Sequence, residues 1–119
     1  MYQKRKICLV LILAFISSTI SIAQIRGWES QESNTEAYLN DVFFINADTG
    51  WVAGHGVILN TADGGENWTL QDSVDVYFMS VFFKDANEGW TVGFKTSGQN
   101  SGIIYHTTDG GEHWGFKDS

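Results

Sequence analysis

Thr61-Ala62-Asp63-Gly64-Gly65-Glu66-Asn67-Trp68 returns as Thr107-Thr108-Asp109-Gly110-Gly111-Glu112-His113-Trp114, so the same octapeptide stands at two places 46 positions apart. A recurrence at that spacing is the signature of a repeat architecture, and it rules out most ways of folding 119 residues. Each copy follows an apolar run (Val57-Ile58-Leu59, Ile103-Ile104-Tyr105) and precedes a short segment opened by tryptophan. That order reads as strand, tight turn, strand. The Asp carboxylate can accept turn N–H groups, and the two glycines tolerate positive φ.

The repeat is longer than the turn. Val42-Phe43-Phe44 matches Val81-Phe82-Phe83, and Trp51 matches Trp90, at an offset of 39. Beyond Gly54 the offset becomes 46, because His55 alone joins Gly54 to Gly56 whereas Phe94 to Ser101 joins Gly93 to Gly102. The second repeat therefore carries seven extra residues at one hairpin, where insertions are tolerated. Trp28 to Ser33, Trp68 to Ser73 and Trp114 to Ser119 share a pattern of Trp, three variable residues, acid and Ser. Each unit reads as four short strands, A to D: a remnant of one unit at 28–33, a unit at 39–73 and a unit at 79–119. Apolar residues at adjacent strand positions imply sheets covered on both faces. Turn density excludes a helix-pair solenoid. The expected fold class is all-β, a β-propeller fragment of about two four-stranded antiparallel blades plus one strand of a preceding blade. A β-sandwich is the runner-up, but it leaves the repeat unexplained.

The first 23 residues stand apart. Lys4-Arg5-Lys6 precedes the apolar run Ile7–Ile16, which thins to Ser21-Ile22-Ala23 before Gln24. This is the pattern of a cleaved secretory signal peptide, and it is shorter and more Ser/Thr-rich than a membrane span requires. The domain division is thus 1–23 signal peptide and 24–119 propeller fragment, with export to the periplasm, cell surface or medium. The one cysteine, Cys8, leaves with the leader, so the mature chain forms no disulfide. Four bases remain against 14 acids, a net charge of −10. Such a surface is a poor partner for nucleic acid or anionic membrane.

Thr61-x-Asp63-x-Gly65-x-Asn67-Trp68 and its second copy resemble the Asp-box, or BNR repeat, whose usual form is Ser/Thr-x-Asp-x-Gly-x-Thr-Trp. The fuller unit, Phe-Phe-x-x-Ala-x-x-Gly-Trp-x-x-Gly before Asp-Gly-Gly-Glu-x-Trp, is similar to the photosystem II assembly and stability factor family and its exported bacterial relatives. The resemblance covers roughly residues 28–119. It implies a β-propeller that acts as a non-enzymatic scaffold or protein-interaction module. The alternative it leaves open is the propeller portion of a sialidase-like glycoside hydrolase, or a carbohydrate-binding module. The sialidases use an arginine triad, and Arg26 is the one arginine of the mature chain. The basic patch associated with the assembly factors has no visible counterpart in so acidic a sequence.

The resemblance and the repeat assign Thr61, Asp63, Gly65, Trp68, Thr107, Asp109, Gly111 and Trp114 a structural role, with no metal, cofactor or catalytic residue expected. His55, His106 and His113 lack metal-ligand spacing. Alternating strand direction puts the A–B and C–D turns at one end of each sheet and the B–C hairpin and D–A connection at the other. A binding site for a protein or glycan partner is therefore expected at the second end, from His55, Tyr77, Phe94, Lys95, Gln99 and Asn100. Two units leave sheet faces open, so closure needs the blades of a longer chain or self-association. The leader reading predicts that the exported protein begins at Gln24. Intact-mass measurement checks it, and a membrane-bound species retaining residues 1–23 would contradict it.

Overall fold

The computed structural model describes residues 27–98 and 101–117. The leader, Gln99 and Asn100 lie outside the described residues. Contacts divide the chain into residues 1–32 and 33–119. In the first, residues 27–32 carry no strand, and the Trp28 side chain is 97% exposed. The expected strand remnant at 28–33 is therefore not a sheet strand here. A D strand needs a C strand beside it, and both C strands of this chain are already paired with D strands of their own repeats.

Residues 33–119 hold β1 (Leu39–Phe44), β2 (Gly50–Thr61), β3 (Thr69–Phe83), β4 (Gly89–Phe94), β5 (Gly102–Thr107) and β6 (Gly115–Lys117). All neighbours in the order β1 to β6 are antiparallel. Six strands accommodate eight segments because two strands are composite. A straight strand of 12 residues would hold its ends roughly 35 Å apart. Yet Asn60 Nδ2 donates to the Gly50 carbonyl at 3.0 Å, so β2 doubles back on itself. The fold-back lies at His55-Gly56, where Gly56 adopts φ +76°. β2 is thus the B and C segments of the first repeat, joined by a minimal hairpin. β3 pairs first with β2 through Thr69–Ser73 and then with β4 through Tyr77–Phe83. It is the D segment of one repeat running into the A segment of the next.

The two repeats pack face against face. Trp51, Ala53 and Ile58 from the first meet Phe78, Val81, Phe83 and Ile103 from the second in one buried cluster. Trp51 is 1% exposed and stacks on Phe83 with ring centroids 3.5 Å apart. Its indole N–H donates to the Gly110 carbonyl at 2.9 Å, and Gln71 Nε2 donates to the same oxygen at 3.1 Å. Asp41 joins the two A segments, its Oδ2 accepting from Ser80 Oγ at 2.8 Å and from the Val81 amide at 2.9 Å. A smaller cluster, Val52, Val57 and Leu59 with Ala37 and Trp68, lies on the opposite face of the first repeat.

The Gly-Trp-x-x-Gly segments have a steric reason. A Cβ at Gly54 would collide with the Tyr38 carbonyl, and one at Gly93 with the Tyr77 carbonyl. The incoming A segment crosses directly over each glycine, leaving no room for a side chain.

Trp51→Ala removes a fully buried indole, its stack and its hydrogen bond, and is expected to cost about 3–5 kcal/mol. Trp90→Ala, at the equivalent but half-buried position, is expected to cost clearly less. Urea unfolding of both variants at low protein concentration checks this, and equal losses would contradict the packing role of Trp51.

Candidate functional site

The sheet has two chemically different ends. At one, the Gly64 amide donates to the Asp48 carbonyl at 2.8 Å and the Gly110 amide to the Asn87 carbonyl at 2.8 Å, so the A–B and C–D turns adjoin in both repeats. Within the first Asp-Gly-Gly turn, buried Thr61 donates its hydroxyl to Asp63 Oδ1 at 2.8 Å and accepts from the Gly65 amide at 2.9 Å. The Asn67 amide donates to Asp63 Oδ1 at 2.8 Å, and Asn67 Nδ2 to Oδ2 at 2.7 Å. The second turn repeats this network through Thr107, Asp109, Gly111 and His113. There His113 Nδ1 lies 2.7 Å from Asp109 Oδ2, in the place of the Asn67 amide. The glycines at both turns take positive φ, +71° and +93° at Gly64 and Gly65 and +72° and +93° at Gly110 and Gly111, where a Cβ is costly.

Electrostatics follow from these bonds. The side-chain and backbone N–H groups of Asn67 and the Thr61 hydroxyl hold Asp63 below the usual carboxylate range. For Asp109, the His113 backbone N–H, then its ring, then the Thr107 hydroxyl lower the pKa to about 2. Asp109 in turn raises His113 through its hydrogen bond and charge. Asp109, Glu112 and His113 set possible ligand atoms within 4.8 Å of one another. Both Asp109 oxygens already accept protein donors, however, and His113 Nδ1 faces Asp109. Trp68 and Trp114, which close the turns, pack edge-on against Phe44 and Phe83 at 5.9 and 5.8 Å. The eight turn residues thus act on one another and on the sheet beneath.

The opposite end is a row of aromatic rings. His55 at the β2 fold-back stacks on Tyr77 of β3, with centroids 4.2 Å apart and planes 13° from parallel. Tyr77 meets Phe94 of β4 edge-on at 5.6 Å, and Tyr38, just before β1, meets His55 edge-on at 5.4 Å. Three of the six residues proposed from sequence, His55, Tyr77 and Phe94, therefore touch in sequence along one edge. Lys95 follows Phe94, and its amide donates to the Ser101 carbonyl at 3.2 Å to close the base of the inserted hairpin. Its side chain is exposed. Gln99 and Asn100 lie outside the described residues.

Tyr38 is the member that sequence reasoning missed. It sits in a polar stretch, but the offset of 39 that relates Trp51 to Trp90 also relates Tyr38 to Tyr77 and His55 to Phe94. The row is therefore one aromatic pair used twice, Tyr38–His55 and Tyr77–Phe94, with the His55–Tyr77 stack between them. Such an edge offers flat, partly desolvated faces beside a cation, which suits the binding of an extended peptide or another ring-bearing ligand.

The turn network has a pH signature with two arms. Asp109 has a lowered pKa in the folded state, so its contribution is complete above the unfolded carboxylate value, about 3.9, and is lost as the pH falls toward 2. His113 has a raised pKa, so its contribution is complete below the unfolded value, about 6.5, and is lost as the pH rises through the folded one. His113→Asn, which copies the first repeat, should remove the alkaline arm and leave the acid arm. Thermal unfolding from pH 2 to 9 checks this; an unchanged alkaline arm in the variant would contradict it.

Comparison with known proteins gives a family and two structures. The family model for the photosynthesis system II assembly factor YCF48 matches residues 20–116. A solved structure of YCF48 bound to a D1 peptide superposes with a TM-score of 0.64 at 36% identity, covering 76% of this chain and 30% of that one. YCF48 from Cyanidioschyzon merolae gives a TM-score of 0.53 at 32% identity, covering 69% of this chain and 24% of that one. No curated protein gives a significant match. The chain thus spans less than a third of the length of either solved structure.

Proposed function

Because the chain belongs to the YCF48 family of photosystem II assembly factors, we propose that it is a non-enzymatic, protein-binding part of an exported β-propeller. The ligand is an extended polypeptide segment, held at the end that carries His55, Tyr77, Phe94 and Lys95, with Tyr38 completing the row. The observation that carries this reading is the aromatic row itself. It is built twice from equivalent positions, and it lies away from both Asp-box turns. One relative of known structure is bound to a D1 peptide, which makes a peptide the natural class of ligand to test.

The Asp-box turns have the opposite character. Asp63 and Asp109 are held ionised by their own turns, in two equivalent copies, and this supports a structural rather than a catalytic role. The acidity of the chain, 14 Asp and Glu against seven Lys and Arg, favours neutral or basic segments among candidate ligands. The leader pattern at residues 1–23 supports export, which would place the site in the periplasm, at the cell surface or in the medium.

The test uses the D1 peptide as probe, titrated against the full chain and followed by fluorescence anisotropy. His55→Ala, and separately the shortening of Phe94–Ser101 to one residue, should weaken binding at least tenfold with little change in unfolding midpoint. Asp63→Ala with Asp109→Ala should lower the midpoint and leave affinity within about twofold at temperatures where the variant is folded. Binding lost in the Asp variant at unchanged stability would overturn the assignment, as would undiminished binding in His55→Ala.

A further inference from the structure

The aromatic end carries a repeated carboxylate as well as repeated rings. Glu36-Ala37-Tyr38 and Asp75-Val76-Tyr77 stand 39 positions apart, so each copy sets an acid two residues before its tyrosine. In both, the middle residue turns into the core: Ala37 packs on Val52, Val57 and Leu59, and Val76 lies in the cluster between the repeats. On β3, Val76 and Phe78 both enter that cluster, which turns Asp75 and Tyr77 to the opposite side of the strand. Glu36 and Asp75 are exposed. The row stands at the hairpin end of the strands, so a repeat packed against either sheet face lengthens it and leaves it uncovered.

These two carboxylates differ from those that hold the fold. Asp41, Asp63, Asp85 and Asp109 each accept at least two hydrogen bonds from their own surroundings. Among the described residues Glu36 and Asp75 accept none, and neither pairs with a base. The His55 ring nitrogens and the hydroxyls of Tyr38 and Tyr77 take no hydrogen bond there either. Lys95 is the opposing charge at this end among the described residues, and two carboxylates against one ammonium leave it net negative. An unbonded carboxylate next to a row of rings supplies both halves of a guanidinium seat. The rings take the planar cation, and the carboxylate takes its N–H donors.

We propose that the segment bound at this end is read through arginine: two arginines at alternate positions of an extended peptide, one seated by Glu36 and Tyr38 and the other by Asp75 and Tyr77. This rests on the aromatic end being the peptide site, and it adds what that site selects. The spacing suits it. Tyr38 and Tyr77 both touch His55, with centroids 5.4 and 4.2 Å away, so the two rings lie within roughly 10 Å of each other, and alternate side chains of a strand stand about 7 Å apart. An exposed ion pair alone contributes little, and so does a single cation on an exposed ring. Two such seats engaged by one segment act together, because the second contact forms without a second loss of translational freedom. Arginine is favoured over lysine, since its flat guanidinium stacks on a ring while its N–H groups stay directed at a carboxylate. The attraction weakens as salt rises.

The test titrates the synthetic peptide Gly-Ser-Arg-Ser-Arg-Ser-Gly into the full chain and follows the ring protons of His55 and Tyr77 by NMR. The arginine peptide should shift both rings. Its citrulline counterpart keeps the shape and loses the charge, and should bind at least tenfold more weakly; the glutamate counterpart should leave the rings unmoved. Glu36→Gln and Asp75→Asn should each weaken the arginine peptide about threefold to tenfold. Neither should move the unfolding midpoint, because neither carboxylate bonds within the fold. A citrulline peptide that shifts the same rings with equal affinity would overturn the arginine reading and leave the peptide site standing. Unchanged arginine affinity in the Glu36→Gln, Asp75→Asn double variant would also overturn it. If no peptide shifts these rings, the D1 peptide included, the peptide site and the arginine reading fall together.

Discussion

One carbonyl oxygen organises the junction between the repeats. The Gly110 C=O receives the Trp51 indole from β2 and the Gln71 amide from β3, both belonging to the first repeat. Its position is fixed by the second Asp-Gly-Gly turn, in which Thr107 and Asp109 tie down the amides of Gly111 and His113. The hydrogen bonds confer direction and the apolar contact supplies most of the energy. Trp51 against Phe83 buries two of the largest side chains in the molecule, while a neutral hydrogen bond contributes about 1 kcal/mol net. Leaving the indole N–H unpaired in that setting would cost more than the bond contributes. The turn is therefore a structural socket for the neighbouring repeat as well as a link between strands.

This arrangement divides labour between the two ends of the sheet. At the turn end, the carboxylates, hydroxyls and backbone amides of the two Asp-Gly-Gly turns bond one another, while among the described residues Gln71 Oε1 and Trp114 Nε1 are buried without a partner. At the other end the backbone is closed by short connections, His55-Gly56 in one repeat and the inserted hairpin in the other, and the side chains are rings that stack along the edge. A turn end that serves packing and an aromatic end away from it are what the proposed binding role requires if binding is not to disturb the fold. Membership of the assembly-factor family and the likeness to a peptide-bound relative agree with the proposed protein-binding role.

Much of this was legible in the sequence because repeats constrain strongly. The offsets of 39 and 46 located the strands, the insertion and both turns, and strand alternation placed His55, Tyr77 and Phe94 at a common end. What escaped the sequence has physical causes. Tyr38 was hidden in a polar stretch although it obeys the same offset as Trp51. The continuity of β2 and β3 was invisible because hydrogen bonding runs through junctions that the pattern reads as breaks. Gln71 could not be singled out, since its counterpart is Lys117 and a contact made once leaves no repeat signal. Trp28–Ser33 matches a D strand in pattern and carries no strand in this structure, because pairing depends on a partner strand that pattern alone does not supply.

Hydrogen exchange at the tryptophan indoles, followed by NMR, tests the central claim most directly. If Trp51 is the donor that locks the repeats, its Nε1–H exchanges only on global unfolding and at the same rate at every protein concentration. The Trp90 Nε1–H, chemically identical but half-buried, exchanges faster in dilute solution. Rapid exchange at Trp51 in the folded chain, or protection of Trp90 equal to that of Trp51 in dilute solution, would contradict the account.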